Sequence, residues 1–201
     1  PESRILTIIG TGVQARSHAL GIPQVIAIDE IRIVGRNQNK SKALSEEVQS
    51  RSSCLVTSFD SPEEALENAD IVCTTTHPSA PVLYWSWLSR GTHINSIGLE
   101  RELDEATVVN SKVFVESRES VLADPPAGSK DLLLPIKTGA IDSTHIQGEI
   151  GELIAGKHSG RKSPEEVTLY KSVGVAVQDA VAAQLVLEIA QQCGRGIEIT
   201  I

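Results

Sequence analysis

Apolar residues along this chain fall into short runs of strand length, and the stretches between them repeat apolar positions at helical spacing. Ile5–Ile9, Ile31–Val34, Leu55–Thr57, Ile71–Thr74, His93–Ser96 and Val113–Val115 form the series of expected strands. Residues 13–20 follow the first run with a helical pattern, and residues 39–51 form a second helical segment before the third run. Ser61-Pro62-Glu63-Glu64 is a capping box with proline at the first helical position, and it predicts a short helix reaching Asn68. The same device at Ser163-Pro164-Glu165-Glu166 predicts the start of a long C-terminal helical region that Gly174 interrupts. Residues 149–155 read as a helix closed by Gly156–Gly160, and residues 124–129 are a loop by composition. The tail Ile197–Ile201 alternates like a strand and has no partner in the series. Strands alternating with helices require crossover connections. The expected fold is therefore α/β, doubly wound, with a mostly parallel sheet and helices on both faces.

The first apolar run leads directly into Gly10-Thr11-Gly12-Val13-Gln14-Ala15, the G-x-G-x-x-A form of a dinucleotide-binding turn. Gly10 allows the tight bend. Gly12 lacks a Cβ, so a pyrophosphate can approach the backbone N–H groups and the positive end of the helix dipole. The strand before and the helix after supply the context this motif needs; a glycine turn serving only packing is the alternative.

Composition narrows the class. With 201 residues the chain can bury a core as one domain with a small appendage. Aromatic residues make up only 3%, so that core rests on Ile, Val, Leu and Ala. The net charge of −8 without a long basic run argues against nucleic acid as a partner. Cys54, Cys73 and Cys193 are widely spaced, which suggests neither a disulfide framework nor a zinc site and fits a reducing, cytoplasmic setting. The absence of Met and of a signal-peptide pattern reads as a piece of a longer chain. Residues 173–190, the most apolar stretch, are interrupted by Gln178, Asp179, Gln184 and Glu188 and read as a largely buried helix, not a membrane span. Of the histidines, His77 follows a threonine run at the expected crevice, where it either touches ligand or serves as a hydrogen-bonded loop residue. His93 reads as structural, His18 as a packing or surface residue of the first helix, and His145 and His158 carry no supporting pattern.

The second strand bears on which dinucleotide binds. NAD-selective turns place an acid at the end of this strand, where it accepts from the adenosine ribose and repels a 2′-phosphate. Here that position is most simply Gly35, followed by Arg36, with Lys40 able to add a second positive charge. Asp29 and Glu30 lie at the strand's other end, roughly 15 Å away at about 3.3 Å per residue. NADP(H) is thus favoured over NAD(H); the alternative is that Arg36 and Lys40 are solvated loop residues.

Several stretches together resemble the ornithine cyclodeaminase/mu-crystallin family: GTGVQARSHAL from Gly10, IRIVGRN from Ile31, ADIVCTTTH from Ala69, GTHINSIG from Gly91, RELD from Arg101, and EIGELIAGKHSGR with VTLYKSVGVAVQDAVAAQL near the end. The resemblance runs in order over nearly the whole chain and implies a Rossmann-type cofactor domain over residues 1–192. It also implies that residues 193–201 return as a strand to a separate N-terminal substrate and dimerisation domain, with a homodimer when that domain is present. By it, Gly10, Thr11, Gly12, Val13 and Gln14 hold the pyrophosphate, and Arg36, Asn37 and Lys40 face the adenosine. Thr74, Thr75 and Thr76 stand at the crevice, while Ser96, Ile97, Gly98, Lys171, Ser172, Val173 and Gly174 lie beside the nicotinamide.

The family's activities imply a small amino-acid or imino-acid substrate and hydride transfer from NADPH to a C=N bond, as in a ketimine reductase. A cyclodeaminase that releases ammonia with catalytic NAD is one alternative, and a non-catalytic NADP-dependent small-molecule binder is another. An unrelated Rossmann protein such as a methyltransferase is a third. Two departures from the family pattern are visible. About a hundred residues usually precede the glycine turn, and the loop between Gly98 and Arg101 is short. The substrate-contacting aspartate of cyclodeaminase-like members is absent from that loop or displaced, which leaves Glu100 as a weak catalytic stand-in. No Ser-His-Asp arrangement or metal-ligand spacing emerges.

Overall fold

The structure, a computed structural model, describes residues 3–197 and Ile199. Along the chain run β1 (Ile5–Ile9), α1 (Val13–Gly21), β2 (Glu30–Val34), α2 (Gln38–Gln49), β3 (Leu55–Phe59), α3 (Pro62–Ala65), β4 (Ile71–Thr74) and β5 (His93–Ile97). There follow α4 (Glu105–Asn110), β6 (Lys112–Val115), α5 (Arg118–Val121), α6 (Lys130–Thr138), β7 (Ile146–Glu149), α7 (Ile150–Ile154), β8 (Thr168–Ser172) and α8 (Ala176–Gln192). The strands form one eight-stranded sheet in the order β3-β2-β1-β4-β5-β8-β6-β7. Every pairing in it is parallel.

Alternation along the strands feeds two cores, one on each face. Leu6 and Ile8 of β1 join Ile31 and Ile33 of β2 and Ile71 and Cys73 of β4, where they pack on Ala15 and Ala19 of α1 and Leu44 and Val48 of α2. Ile9, Val34, Val72 and Ile94 belong to the opposite cluster with Ala65, Leu66, Val108 and Leu132, which come from α3, α4 and α6 or their ends. Each fully buried Val, Leu or Ile side chain among them contributes about 1.5–3 kcal/mol. Ala15 and Ala19 are fully buried, so α1 lies close against the sheet and its N-terminus is fixed at the end of β1. The chain winds from β1 outward to β2 and β3, then crosses back to β4 on the other side. The sheet therefore reverses direction between β1 and β4.

All six expected strands are present, and the doubly wound α/β architecture is the one read from the pattern. Two expectations fail. Ser163-Pro164-Glu165-Glu166 does not open a helix: the Glu166 carboxylate accepts from Lys162 N at 2.7 Å, Glu165 pairs with Ser163, and the chain turns into β8. β8 inserts between β5 and β6, where both of its edges are hydrogen-bonded, and that pairing outweighs the local helical signal. Helix α8 was expected to be largely buried, yet none of its residues is, and Val177, Val181, Leu185, Val186, Leu187 and Ile189 are all exposed. The expected strand at 197–201 falls mostly outside the described residues; Ile197, which is described, is exposed and not in a strand.

Candidate dinucleotide site

The C-terminal ends of β1, β4, β5 and β8 meet around the reversal point, and the glycine turn sits between the first two. Gly10 has φ +133°, and a Cβ there would lie 2.4 Å from Thr75 Oγ1 and 2.8 Å from the Thr75 carbonyl oxygen. Only glycine permits this approach of the β1 turn to the β4 loop. The turn is anchored by Gly10 N donating to Val34 O at 2.8 Å and Thr75 N to Ile9 O at 2.9 Å. Gly12 is the N-cap of α1, has no side-chain cap, and would place a Cβ with no atom within 4 Å. The first N–H groups of α1 have no partner inside the helix, so this end combines an open approach with free donors and the positive dipole end. A pyrophosphate fits those requirements.

At the end of β2, a Cβ on Gly35 would meet Thr11 Cγ2 at 2.7 Å and Ser41 Oγ at 3.2 Å. A side chain at position 35 would therefore require Thr11 to shift. Arg36 and Lys40 are exposed beside it, and Asn37 caps α2 by accepting from Lys40 N at 3.1 Å. At the far end of the strand Glu30 pairs with Arg32 and Asp29 with Arg4.

On the other side of the reversal point the threonines and Ser96 are tied together by a residue not singled out from the sequence. Glu102 is fully buried, and its carboxylate accepts from Thr74 Oγ1 at 2.8 Å, Ser96 Oγ at 3.0 Å, Thr76 N at 2.6 Å and Thr76 Oγ1 at 2.7 Å. Thr74 and Ser96 therefore build the floor of the crevice, with their hydroxyls turned inward. Thr75 Oγ1 donates to Ile9 O at 3.1 Å. Ser96 Oγ also accepts from Lys171 Nζ at 2.9 Å, and Lys171 pairs with Asp131 at 2.7 Å, both residues being almost wholly buried. Burial pushes the Asp131 carboxyl above its usual range, against the pull of Lys171 and of Leu103 N, which donates to Asp131 at 3.0 Å.

Val173 and Gly174 follow β8, and their N–H groups both donate to Glu116 Oε1, at 2.5 and 2.8 Å. Gly98 N donates to Ser172 O at 3.2 Å, which holds the ends of β5 and β8 together. Ile97 and Ser172 close their strands at this same edge, in register with each other. Glu100 lies in the loop beyond β5 and pairs with Lys130 Nζ at 2.6 Å. That hydrogen bond, with the charges of Lys130 and His77 nearby, holds its carboxyl below the usual range. The structure thus brings together Glu100, Lys130 and His77 at the rim.

The remaining histidines are structural. His93 Nδ1 lies 2.8 Å from Thr168 Oγ1, and burial with the charge of Arg161 lowers its pKa to about 4. His18 and His145 bond to backbone carbonyls, and His158 packs edge-on against Phe114. Burial pushes the Cys73 thiol up to about 12, and all three cysteines are free. Among the described residues no cluster of His, Cys, Asp or Glu is placed to hold a metal ion, and no helix is long and apolar enough to cross a membrane. Two concavities of about 670 and 360 Å³ open at the N-terminal ends of the strands, the edge opposite to that which binds ligands in open parallel sheets.

Fold and turn together define a Rossmann-type dinucleotide-binding domain. The chain belongs to the ornithine cyclodeaminase/mu-crystallin family, whose sequence profile matches residues 1–194. It is 37% identical to a Delta(1)-pyrroline-2-carboxylate reductase of Bacillus cereus over 203 aligned positions, covering 98% of this chain and 61% of that protein. It is 34% identical to the ketimine reductase mu-crystallin of Macropus fuliginosus, covering 94% of this chain and 56% of that protein. The structure of the Thermococcus litoralis Delta(1)-pyrroline-2-carboxylate reductase, solved in complex with NADH and L-proline, superposes with a TM-score of 0.93 at 38% identity, covering 98% of this chain and 61% of that one. The chain thus spans about three-fifths of the length of these relatives.

Proposed function

We propose that this chain is the cofactor-binding part of an NAD(P)-dependent oxidoreductase that reduces a small cyclic imino acid, the hydride going to the carbon of C=N and a proton to nitrogen. The observation that carries this reading is the uncapped N-terminus of α1 beside the open Gly12, at the reversal point of the sheet. In it, Gly10, Thr11, Gly12, Val13 and Gln14 cradle the pyrophosphate. Arg36 and Lys40, beside Asn37, meet the adenosine end, and the nicotinamide lies over Thr74–Thr76, Ser96–Gly98 and Ser172–Val173.

When bound, the nicotinamide supplies the hydride. The chain's residues orient and enclose. Glu116 fixes the Val173–Gly174 backbone that would flank the ring, and Gly98, tied to Ser172, closes the opposite side. Glu100 is kept ionised by Lys130 and is suited to face a cationic imine nitrogen. Gly35 and Arg36 support a preference for NADPH over NADH, since glycine, followed by an arginine, stands where an acid would repel a 2′-phosphate. The named relatives support imine reduction over cyclodeamination.

The second domain and a homodimer are part of the same reading. Val177, Val181, Leu185 and Ile189 recur every four residues along α8 and are exposed, a face that a further domain would cover. Residues 193–201 would lead into that domain. Steady-state reduction of Δ1-pyrroline-2-carboxylate by the intact protein, with NADPH and with NADH, tests the function. Turnover with NADPH preferred supports it. Tight NADPH binding without turnover of any cyclic imino acid would favour a non-catalytic NADP-dependent binder, a reading to which the short loop at Leu99-Glu100 lends weight.

A further inference from the structure

Glu102 has no counterpart in the dinucleotide turn, and it touches nothing that binds in the adenosine half. Its carboxylate accepts hydrogen bonds from both sides of one boundary. Thr74 ends β4 and Thr76 lies two residues beyond it, while Ser96 belongs to β5. β4 and β5 are already paired in register through Thr74 and Ser96. What Glu102 adds is control of the chain after the strand: it takes both the backbone N–H and the hydroxyl of Thr76, which fixes where the β4 loop leaves the sheet.

Behind it, Ser96 Oγ accepts from the ammonium of Lys171, so its own hydrogen is directed to Glu102. Lys171 is held in turn by Asp131, which also accepts from Leu103 N, the residue next to Glu102. The chain of contacts closes on itself, and Glu102, Lys171 and Asp131 are all buried. Since the pyrophosphate turn ends β1 and the adenosine extends toward β2, the other half of a dinucleotide lies over β4, β5 and β8, directly above this network.

We infer that Glu102 is the positioning residue of the nicotinamide half of the site, setting the crevice between the β4 loop and β5 through Thr74, Thr76 and Ser96, with Lys171 and Asp131 as its support. This rests on the dinucleotide reading above. Glu102→Gln keeps the shape, but one carboxylate oxygen becomes an amide that donates. On the side facing Ser96, whose hydroxyl already accepts from Lys171, the amide hydrogen meets a donor left without its acceptor. Ser96→Ala breaks the same link from the β5 side with the loss of a single small group.

The test measures two dissociation constants on this chain, of NADPH by its nicotinamide fluorescence and of adenosine 2′,5′-bisphosphate, which reaches only the adenosine half, by calorimetry. For Glu102→Gln the expected result is NADPH binding weakened about tenfold with the bisphosphate changed less than twofold. Ser96→Ala shifts in the same sense, which keeps the test intact if Glu102→Gln does not fold. Equal weakening of both ligands, or a lowered melting temperature with both constants unchanged, overturns the positioning role. Wild-type protein that binds neither probe overturns the dinucleotide reading itself, and the inference with it.

Discussion

Gly10 and Gly12, two glycines of the same turn, should respond in opposite ways to a single methyl group. At Gly12 a Cβ has no atom within 4 Å, and the residue sits at φ −91°, a conformation alanine adopts freely. Losing glycine at an N-cap costs about 0.5–1 kcal/mol, while the stiffer unfolded chain returns about 0.4–1 kcal/mol, so Gly12→Ala should leave the melting temperature within about 2 °C. The methyl group would, however, stand where the pyrophosphate must approach. An overpacking cost of about 1–3 kcal/mol there corresponds to roughly 5- to 150-fold weaker binding. Gly10→Ala is the reverse case, because φ +133° strains any side chain and the Cβ would press on the Thr75 carbonyl oxygen at 2.8 Å. Strain and overpacking of about 1–3 kcal/mol each lower the melting temperature by roughly 5–20 °C. Scanning calorimetry and NADPH fluorescence titration on both variants decide the matter. Gly12→Ala binding NADPH as tightly as wild type would refute the placement of the pyrophosphate.

Three further outcomes are expected. Arg36→Ala weakens NADPH by about tenfold, the scale of one exposed charge-assisted hydrogen bond, and leaves NADH nearly unchanged; equal loss of both in parallel titrations would remove the 2′-phosphate role. Because His93 has its pKa lowered to about 4 from 6.5, its contribution to stability is present above pH 6.5 and is lost as pH falls toward 4, by up to about 3 kcal/mol. Thermal melts at pH 7 and pH 4.5 should show a smaller acid loss for His93→Gln than for wild type, and an unchanged loss would contradict this. Lys171→Met strands the buried Asp131 and costs about 3–5 kcal/mol at neutral pH. As Asp131 already has its pKa raised, protonation relieves that loss, so the deficit in denaturant melts shrinks as pH falls; a deficit that is constant with pH would refute the pair's role.

The parts of this molecule that were legible in the sequence are those governed by local pattern. β1, β2, β4 and β6 stand out as short apolar runs because their inward positions are buried, and the glycine turn is local by construction. β8 was missed because its sequence, Thr168-Leu169-Tyr170-Lys171-Ser172, carries a lysine whose charge is met by Asp131, forty positions away. β7 holds Gln147 and Gly148 at an edge position and forms no apolar run. The capping-box pattern at Ser163 misled because its glutamates are spent on Ser163 and Lys162 N in a turn, where the identical pattern at Ser61 does begin α3.

In the site the same division holds. The turn, Gly35 and Arg36 are candidates that stand in local motifs, whereas Glu102 has no local pattern and gains its contacts from partners at β4 and β5. A lysine in the middle of a central strand would have been the one available clue to the buried network, had β8 been recognised. Helix α8 shows the opposite failure. Its apolar content reads as burial, yet none of its residues is buried.

The most direct test of the account is an equilibrium titration of this chain with NADPH, followed by displacement with adenosine 2′,5′-bisphosphate. One saturable site, fully displaced by the bisphosphate and tighter for NADPH than for NADH, is the predicted result. Absence of saturable binding of either dinucleotide up to millimolar concentration, in protein that melts cooperatively, would contradict it.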